Sequence, residues 1–157
     1  MADRSPLPEL ADEVLRLSAR MQAATALFGD DAGLSGAQLL VLTAVARAKT
    51  PPTVPQIARS LGHSRQAIQR QADVLVAAGM VELVDNPDHK RARRLVATDR
   101  GANAYGRADE KSRSWEVGVV AGIPPGDLAT AVITLRRLRA RLEQQLANDS
   151  SPLDHAV

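Results

Sequence analysis

Residues 53–80 read TVPQIARSLGHSRQAIQRQADVLVAAGM, a pattern typical of two helices joined by a tight turn. Thr53 and Gln56 have the spacing of a capping box, in which two side chains satisfy free backbone N–H groups at a helix start. Gly62 can adopt the left-handed conformation that ends a helix, and Ser64 can cap the next helix. The sequence therefore predicts a helix-turn-helix over this range.

The second helix of this pair has an apolar face and a polar face. Four apolar residues fall on one face at helical spacing, namely Ile68, Ala72, Leu75 and Val76. The opposite face carries Arg65, Gln66, Gln69, Arg70 and Asp73. Arg and Gln side chains can make paired hydrogen bonds to base edges in the major groove of DNA. Two interpretations are open: a DNA-reading helix, or the solvated face of an ordinary helical hairpin.

The periodicity changes from helical to alternating after Gly79. Residues 81–84 and 94–97 read as two strands around a turn-rich loop that contains Asn86-Pro87. The loop and the second strand are basic, with His89, Lys90, Arg91, Arg93 and Arg94. A basic hairpin that directly follows a DNA-reading helix can act as a wing along the phosphate backbone or in the minor groove. The alternatives are a solvated basic loop and a processing site.

The charge distribution favours a polyanion as partner. The chain has 157 residues, a net charge of only +2 and a hydrophobic fraction of 45%, which fits one domain with helical extensions rather than a disordered chain. Residues 32–72 contain no Asp or Glu, although five basic residues lie among them: Arg47, Lys49, Arg59, Arg65 and Arg70. The N-terminal region is instead rich in acids. One half of the protein is thus expected to face a polyanion.

Several classes of protein are disfavoured by the same composition. There is no cysteine, so disulfides and thiolate metal sites are excluded, and the three histidines are scattered, so no metal site is predicted. No apolar run reaches the roughly 18 residues of a membrane span, and no signal peptide is evident, so a cytoplasmic protein is expected. No nucleophile elbow, P-loop or dinucleotide-binding glycine pattern is present. The sequence therefore predicts neither an enzyme nor a cofactor.

Four further helices are predicted around this region. The first spans about Glu9–Phe28 with apolar residues at heptad spacing, and the second begins at a Ser35/Gln38 capping box. Thr98 caps a long helix, and a last helix extends to about Ala147 with a second stripe of apolar residues. The stripes at the two ends either cover one another within a monomer or join two copies. A homodimer is favoured, because a two-fold pair binds two half-sites about 34 Å apart.

The predicted fold is mainly α with a small β-hairpin, a winged helix-turn-helix with N- and C-terminal dimerisation helices. The expected organisation assigns residues 1–33 to an N-terminal dimerisation helix and residues 34–100 to the DNA-binding domain. Residues 101–148 are expected to form C-terminal dimerisation helices, and residues 149–157 a flexible tail.

With this order of elements, the chain resembles the MarR family of bacterial winged helix-turn-helix regulators. The most specific part of the resemblance is Val54 to Gly101, where matching residues are Ile57, Ala58, Leu61, Ser64, Leu75, Gly79, Thr98 and Gly101. The resemblance implies major-groove contacts by Ser64, Arg65, Gln66, Gln69 and Arg70, and wing contacts by Lys90, Arg91 and Arg93. In two places the chain departs from the family. His89 stands where an Asp often precedes the paired wing bases, with Asp88 one residue earlier, and Ala97 replaces the usual Leu before Thr98.

The resemblance also implies a homodimeric repressor that releases its operator when a small, often aromatic ligand binds between the dimerisation and DNA-binding parts. Met21, Phe28 and Trp115 are candidate ligand-binding residues, with a role in the core as the alternative. The leading hypothesis is thus a sequence-specific regulator on a pseudo-palindromic operator. A non-specific architectural DNA-binding protein is the alternative, and it would bind shuffled DNA equally well.

Overall fold

The computed structural model describes residues 5–88 and 92–149 of the chain. In those ranges it is mainly helical with one antiparallel β-hairpin, which confirms the predicted fold class. The helices are α1 (Leu7–Gly29), α2 (Gly36–Ala46), α3 (Val54–Leu61), α4 (Arg65–Ala77), α5 (Asp99–Val119) and α6 (Pro125–Asp149). The strands are β1 (Val81–Val84) and β2 (Arg94–Ala97), and a short 3-10 turn, Asp30–Ala32, follows α1.

The chain divides into two compact units, Met1–Trp115 and Glu116–Val157. The first unit contains the winged helix-turn-helix together with α1 and most of α5. The second contains the end of α5 and all of α6. This division reflects packing within one copy of the chain and does not test dimerisation. The expected roles of the terminal helices in dimerisation therefore stay predictions.

The helix pair α3–α4 forms where its capping residues predict it. The Thr53 N–H donates to Gln56 Oε1 at 2.8 Å at the start of α3. Gly62 ends α3 with a left-handed φ of 68°, a backbone conformation that other residues rarely adopt. Ser64 Oγ then accepts the Ala67 N–H at 3.2 Å and starts α4. The turn between the helices is therefore set by local hydrogen bonds and by one glycine.

The core of the first unit lies between α2, α4 and the hairpin. Leu42 of α2, Leu75 of α4 and Leu95 of β2 are all 0% exposed. The strands pair from Val81 with Ala97 to Val84 with Arg94. The Leu95 N–H also donates to Pro52 O at 2.8 Å, so the hairpin is tied to the loop that leads into α3. Helix-turn-helix and hairpin thus share one core.

Helices α1 and α6 leave much of their apolar surface exposed. In α1 the buried residues are Ala24 and Gly29, whereas leucine and methionine side chains of the predicted heptad stripe remain exposed, among them Leu10, Leu17 and Met21. No residue of α6 within Pro125–Asp149 is buried. Asp149, assigned to the tail from sequence, is the last residue of α6, and the rest of that tail lies outside the described residues.

Gly101 allows α5 to approach the turn between α4 and β1. The Thr98 Oγ1 donates to Gly79 O at 2.7 Å and accepts the Gly101 N–H at 3.1 Å. A Cβ atom on Gly101 would overlap the carbonyl oxygen of Met80. Gly106, one and a half turns further along α5, has nothing within 4 Å of the corresponding position.

We therefore expect Gly101→Ala and Gly106→Ala to have opposite effects on stability. At Gly101 the new methyl group forces backbone to move, and overpacking of this kind destabilises by about 1–3 kcal/mol. At Gly106 alanine has the better helix propensity and open space, so the free energy of unfolding should rise by roughly 0.5–1 kcal/mol. Urea denaturation of both variants measures the difference. Equal effects of the two substitutions on stability would show that the close approach of Met80 does not exclude a side chain at Gly101.

Candidate nucleic-acid interface

The polar face predicted for the second helix of the pair is present on α4. Ile68, Ala72 and Leu75 are buried. The five residues predicted to meet the major groove are all exposed: Ser64, Arg65, Gln66, Gln69 and Arg70. Of these, Gln66, Gln69 and Arg70 line one shallow surface recess. The structure thus brings the predicted side chains together on one face, and their contact with DNA stays a prediction.

Asp73 adds a fixed hydrogen bond to this face. Gln69 Nε2 donates to Asp73 Oδ1 at 2.7 Å, and Asp73 is exposed. From sequence, Asp73 is predicted on the polar face, but no role is predicted for it. The spacing of four residues is the signal that could have found the pair, because side chains at i and i+4 are neighbours on a helix.

The hairpin is braced at its base by its own polar side chains. Asn86 is buried, and its Nδ2 donates to Ala92 O at 2.8 Å. Arg94 forms an ion pair with Asp88 at 2.6 Å, so an acidic anchor is present even though it stands one residue earlier than in the family pattern. Ala97, the other departure, is partly buried and packs against the core.

The predicted wing residues fall into two groups. Arg93 Nη2 donates to Leu83 O across the hairpin at 2.6 Å, so part of this side chain holds the hairpin together. A guanidinium group has five N–H donors, and this bond therefore leaves others for phosphate. Lys90 and Arg91, together with His89, lie outside the described residues.

Arg47 belongs to a hydrogen-bonded cluster that joins the end of α2 to α5. Its Nε donates to the Tyr105 hydroxyl at 2.7 Å, and its Nη2 contacts Asp109 Oδ1 at 2.7 Å. The Tyr105 hydroxyl also donates to Asp109 Oδ1 at 3.1 Å. From sequence, Arg47 is expected among the charges that face a polyanion. No local pattern could have found this cluster, because its partners are about 60 residues away in the chain.

The cluster shifts the pKa values of two of its members. The hydrogen bond from Arg47 is the main cause that lowers the pKa of Asp109, and the bonds from Tyr105 and Arg113 act in the same direction. The pKa of Arg47 is raised, chiefly by its hydrogen bond with Tyr105 and then by Asp109. The ionised form of Asp109 is therefore favoured in the folded protein.

We expect Asp109→Asn to destabilise the protein at neutral pH and much less in acid. A carboxylate whose pKa is lowered by folding stabilises the folded state above its unfolded pKa of about 3.9, and this stabilisation is lost as the pH falls through the folded pKa. The difference in stability between the wild-type and Asp109→Asn proteins should thus shrink progressively as the pH falls below the unfolded pKa. Urea denaturation at several pH values measures this, with Glu110→Gln on the same helix as the control. A stability difference between the two proteins that does not change with pH would contradict stabilisation by the ionised form of Asp109.

Two of the three candidate ligand-binding residues are in direct contact. The rings of Phe28 and Trp115 make an edge-to-face contact, with centroids 5.5 Å apart and an interplanar angle of 67°. Met21 is 56% exposed. The aromatic pair thus joins the end of α1 to α5, and the ligand role of the three residues stays a prediction.

A cavity not foreseen from sequence lies between α1, α2 and the helix-turn-helix. It has a volume of about 280 Å³, and its lining residues are Gln22, Thr25, Gly36, Ala37, Leu40 and His63. His63 directly precedes Ser64, the N-cap of α4. A molecule bound here would therefore touch both α1 and the start of the exposed polar face.

The described residues provide neither a candidate metal site nor a membrane-spanning helix. Within residues 5–88 and 92–149, no group of three or more His, Asp or Glu side chains is placed to hold a metal ion. No helix in the same ranges combines the length and the apolar character needed to cross a membrane.

Comparison with known proteins gives consistent matches. Residues 32–92 match the sequence model of the MarR family. Uncharacterized proteins of Mycobacterium tuberculosis and Mycobacterium bovis are 36% identical over 93 residues, a match that covers 59% of this chain and 65% of each relative. The match thus spans slightly less than two thirds of the length of these curated relatives.

Solved structures with a similar fold include the following two. The transcriptional regulator PA3341 is 27% identical with a TM-score of 0.75, and the match covers 85% of this chain and 98% of that protein. Staphylococcus aureus MarR, solved in complex with salicylate and kanamycin, is 15% identical with a TM-score of 0.74, covering 90% and 95%. At such an identity the second likeness concerns the fold alone.

Proposed function

Because the chain belongs to the MarR family, we propose that it is a sequence-specific DNA-binding transcriptional regulator. In this proposal α4 reads base edges in the major groove, and the hairpin contacts the backbone. The protein acts in the bacterial cytoplasm as a homodimeric repressor that binds a pseudo-palindromic operator and responds to a small ligand.

The observation that carries the proposal is the exposed face of α4. The opposite side of this helix is buried in the core. Its exposed side carries Arg65, Gln66, Gln69 and Arg70. Such a rigid helix can hold several side chains in register with successive bases, which a flexible loop cannot. The absence of acidic residues from 32 to 72 removes repulsion between this part of the chain and phosphates.

The exposed apolar side chains support a homodimer. Leu10, Leu17 and Met21 of α1 are exposed, as are Leu135 and Leu142 of α6. Full burial of one such side chain stabilises an assembly by roughly 1.5–3 kcal/mol, so several together would hold two copies firmly. We propose that a second copy of the chain buries these apolar side chains, because a dimer presents two copies of α4 to two half-sites.

Arg65→Ala and Arg91→Ala should weaken DNA binding in different ways. Loss of a base contact at Arg65 should weaken operator binding by about 1–3 kcal/mol and relax the preference at one base pair. Loss of a phosphate contact at Arg91 should weaken binding to all sequences and reduce the salt slope by about 0.9. Fluorescence anisotropy with operator and shuffled duplexes, at several salt concentrations, measures both effects and the number of protomers bound.

Arg107→Ala is the control for these variants. It removes an exposed charge on α5 and should leave DNA binding nearly unchanged. Equal affinity of the wild-type protein for operator and shuffled DNA would favour a non-specific architectural protein. An affinity that does not depend on salt would contradict the electrostatic part of the proposal.

The cavity beside His63 is the proposed effector site. Its volume of about 280 Å³ is near the lower end of typical ligand sites, which suits a ligand with a single aromatic ring. Gln22 and His63 provide polar groups for a carboxylate or hydroxyl group. The Thr25 hydroxyl already donates to Met21 O, so it could accept a hydrogen bond from a ligand hydroxyl. The salicylate complex of the Staphylococcus aureus structure supports this ligand class. A ligand in contact with His63 is also adjacent to the N-cap of α4, where a small displacement would move the whole reading face.

We expect Ala37→Phe to block the release of DNA by salicylate. The phenyl group fills the cavity, whereas ligand-free binding should stay within about twofold because Ala37 is exposed and does not belong to the α4 face. Anisotropy of a labelled operator during salicylate titration measures the release. Met21→Ala is the companion variant for the alternative site at Met21, Phe28 and Trp115. Loss of the response in Met21→Ala but not in Ala37→Phe would place the effector at that alternative site.

A further inference from the structure

We propose that Asp73 is a positioning residue for base recognition. Its carboxylate fixes the side-chain amide of Gln69 so that this amide prefers adenine over guanine. The inference rests on the proposed function and adds to it a residue that sets specificity without touching a base.

The geometry of the pair fixes which way the amide points. Gln69 Nε2 lies 2.7 Å from Asp73 Oδ1, and both side chains are on the exposed face of α4. The two atoms of a glutamine amide are often hard to tell apart, but an ionised carboxylate can only accept hydrogen bonds. The nitrogen must therefore face Asp73, and Oε1 faces away from it.

This orientation limits what Gln69 can offer to a base. A free glutamine amide has two N–H donors and one acceptor oxygen. With one donor held by Asp73, a single donor and the acceptor remain. Adenine presents one donor (N6–H) and one acceptor (N7) in the major groove, whereas guanine presents two acceptors, O6 and N7. The held amide can thus make two hydrogen bonds with adenine and only one with guanine.

The charge of Asp73 gives the proposal a distinctive signature. Asp73 is the first acidic residue after the acid-free range 32–72, and it lies on the same face as Arg65 and Arg70. A carboxylate here repels phosphates, so its charge weakens binding to any duplex. Replacing Asp73 should therefore raise overall affinity while lowering the preference for adenine. A residue that only supported the helix would lower stability and affinity together.

Base preference of the purified full-length chain tests the proposal. Selection from random duplexes gives the preferred site, and anisotropy titrations then compare A·T with G·C at each position. The wild-type protein should prefer adenine by at least about fivefold at the position whose preference is lost in Gln69→Ala, the lower end of what a paired contact contributes. In Asp73→Asn this preference should fall to within about twofold, because Asn can donate to Gln69 Oε1 and let the amide reverse.

Asp85→Asn is the matched control for charge. It removes one exposed negative charge from the loop after β1, on a different element from Gln69. It should raise affinity slightly and leave the preference unchanged. Asp73→Glu keeps a carboxylate within reach and should restore at least part of the preference lost in Asp73→Asn.

Three results would overturn the inference. An unchanged preference in Asp73→Asn would show that the amide is oriented by something else. A change in base preference caused by Asp73→Asn in the Gln69→Ala background would show that Asp73 reads a base itself. Equal binding of all sequences by the wild-type protein would refute the proposed function, and the inference with it. The first two results leave the proposed function intact.

Discussion

Burial of one side of α4 is the constraint on which the rest of the structure depends. Ile68, Ala72 and Leu75 are held in the core with Leu42 and Leu95. Side-chain directions along a helix are fixed relative to one another, so this burial aims the opposite face outward. Each buried aliphatic side chain stabilises the fold by roughly 1.5–3 kcal/mol, whereas an exposed ion pair contributes about 0–1 kcal/mol. The apolar core therefore determines the orientation of α4, and the exposed charges contribute little to it.

The basic residues divide between structure and function, which a count of charges does not reveal. Arg47 is engaged by Tyr105 and Asp109, and Arg94 is paired with Asp88. Arg93 is partly used across the hairpin. Within the acid-free range, Arg47 is therefore engaged in a structural cluster, whereas Arg65 and Arg70 remain exposed on α4.

Local signals made most of the fold predictable from sequence. The capping side chains Gln56 and Ser64, together with Gly62, act within a few residues of their own position, and the structure confirms each of them. The exposed face of α4 followed from helical periodicity for the same reason. The Arg47 cluster and the cavity beside His63 could not be foreseen, because each depends on side chains from helices far apart in the chain. The ion pair of Asp88 was missed for a different reason: the family pattern pointed to the neighbouring position.

Helix α2 connects the parts of the first unit that the proposed function must couple. It contacts α1, α3, α4 and β2, and its end is joined to α5 through Arg47. The cavity beside His63 is lined on one side by Gly36, Ala37 and Leu40 of the same helix. A closely packed core transmits a displacement rather than absorbing it. A shift of α1 can therefore reach α4 through α2, whereas α5 also contacts the turn between α4 and β1 directly, at Gly79 and Met80. The apolar contacts of Leu42 with the α4 stripe, rather than the polar face itself, would then determine how strongly an effector changes DNA binding.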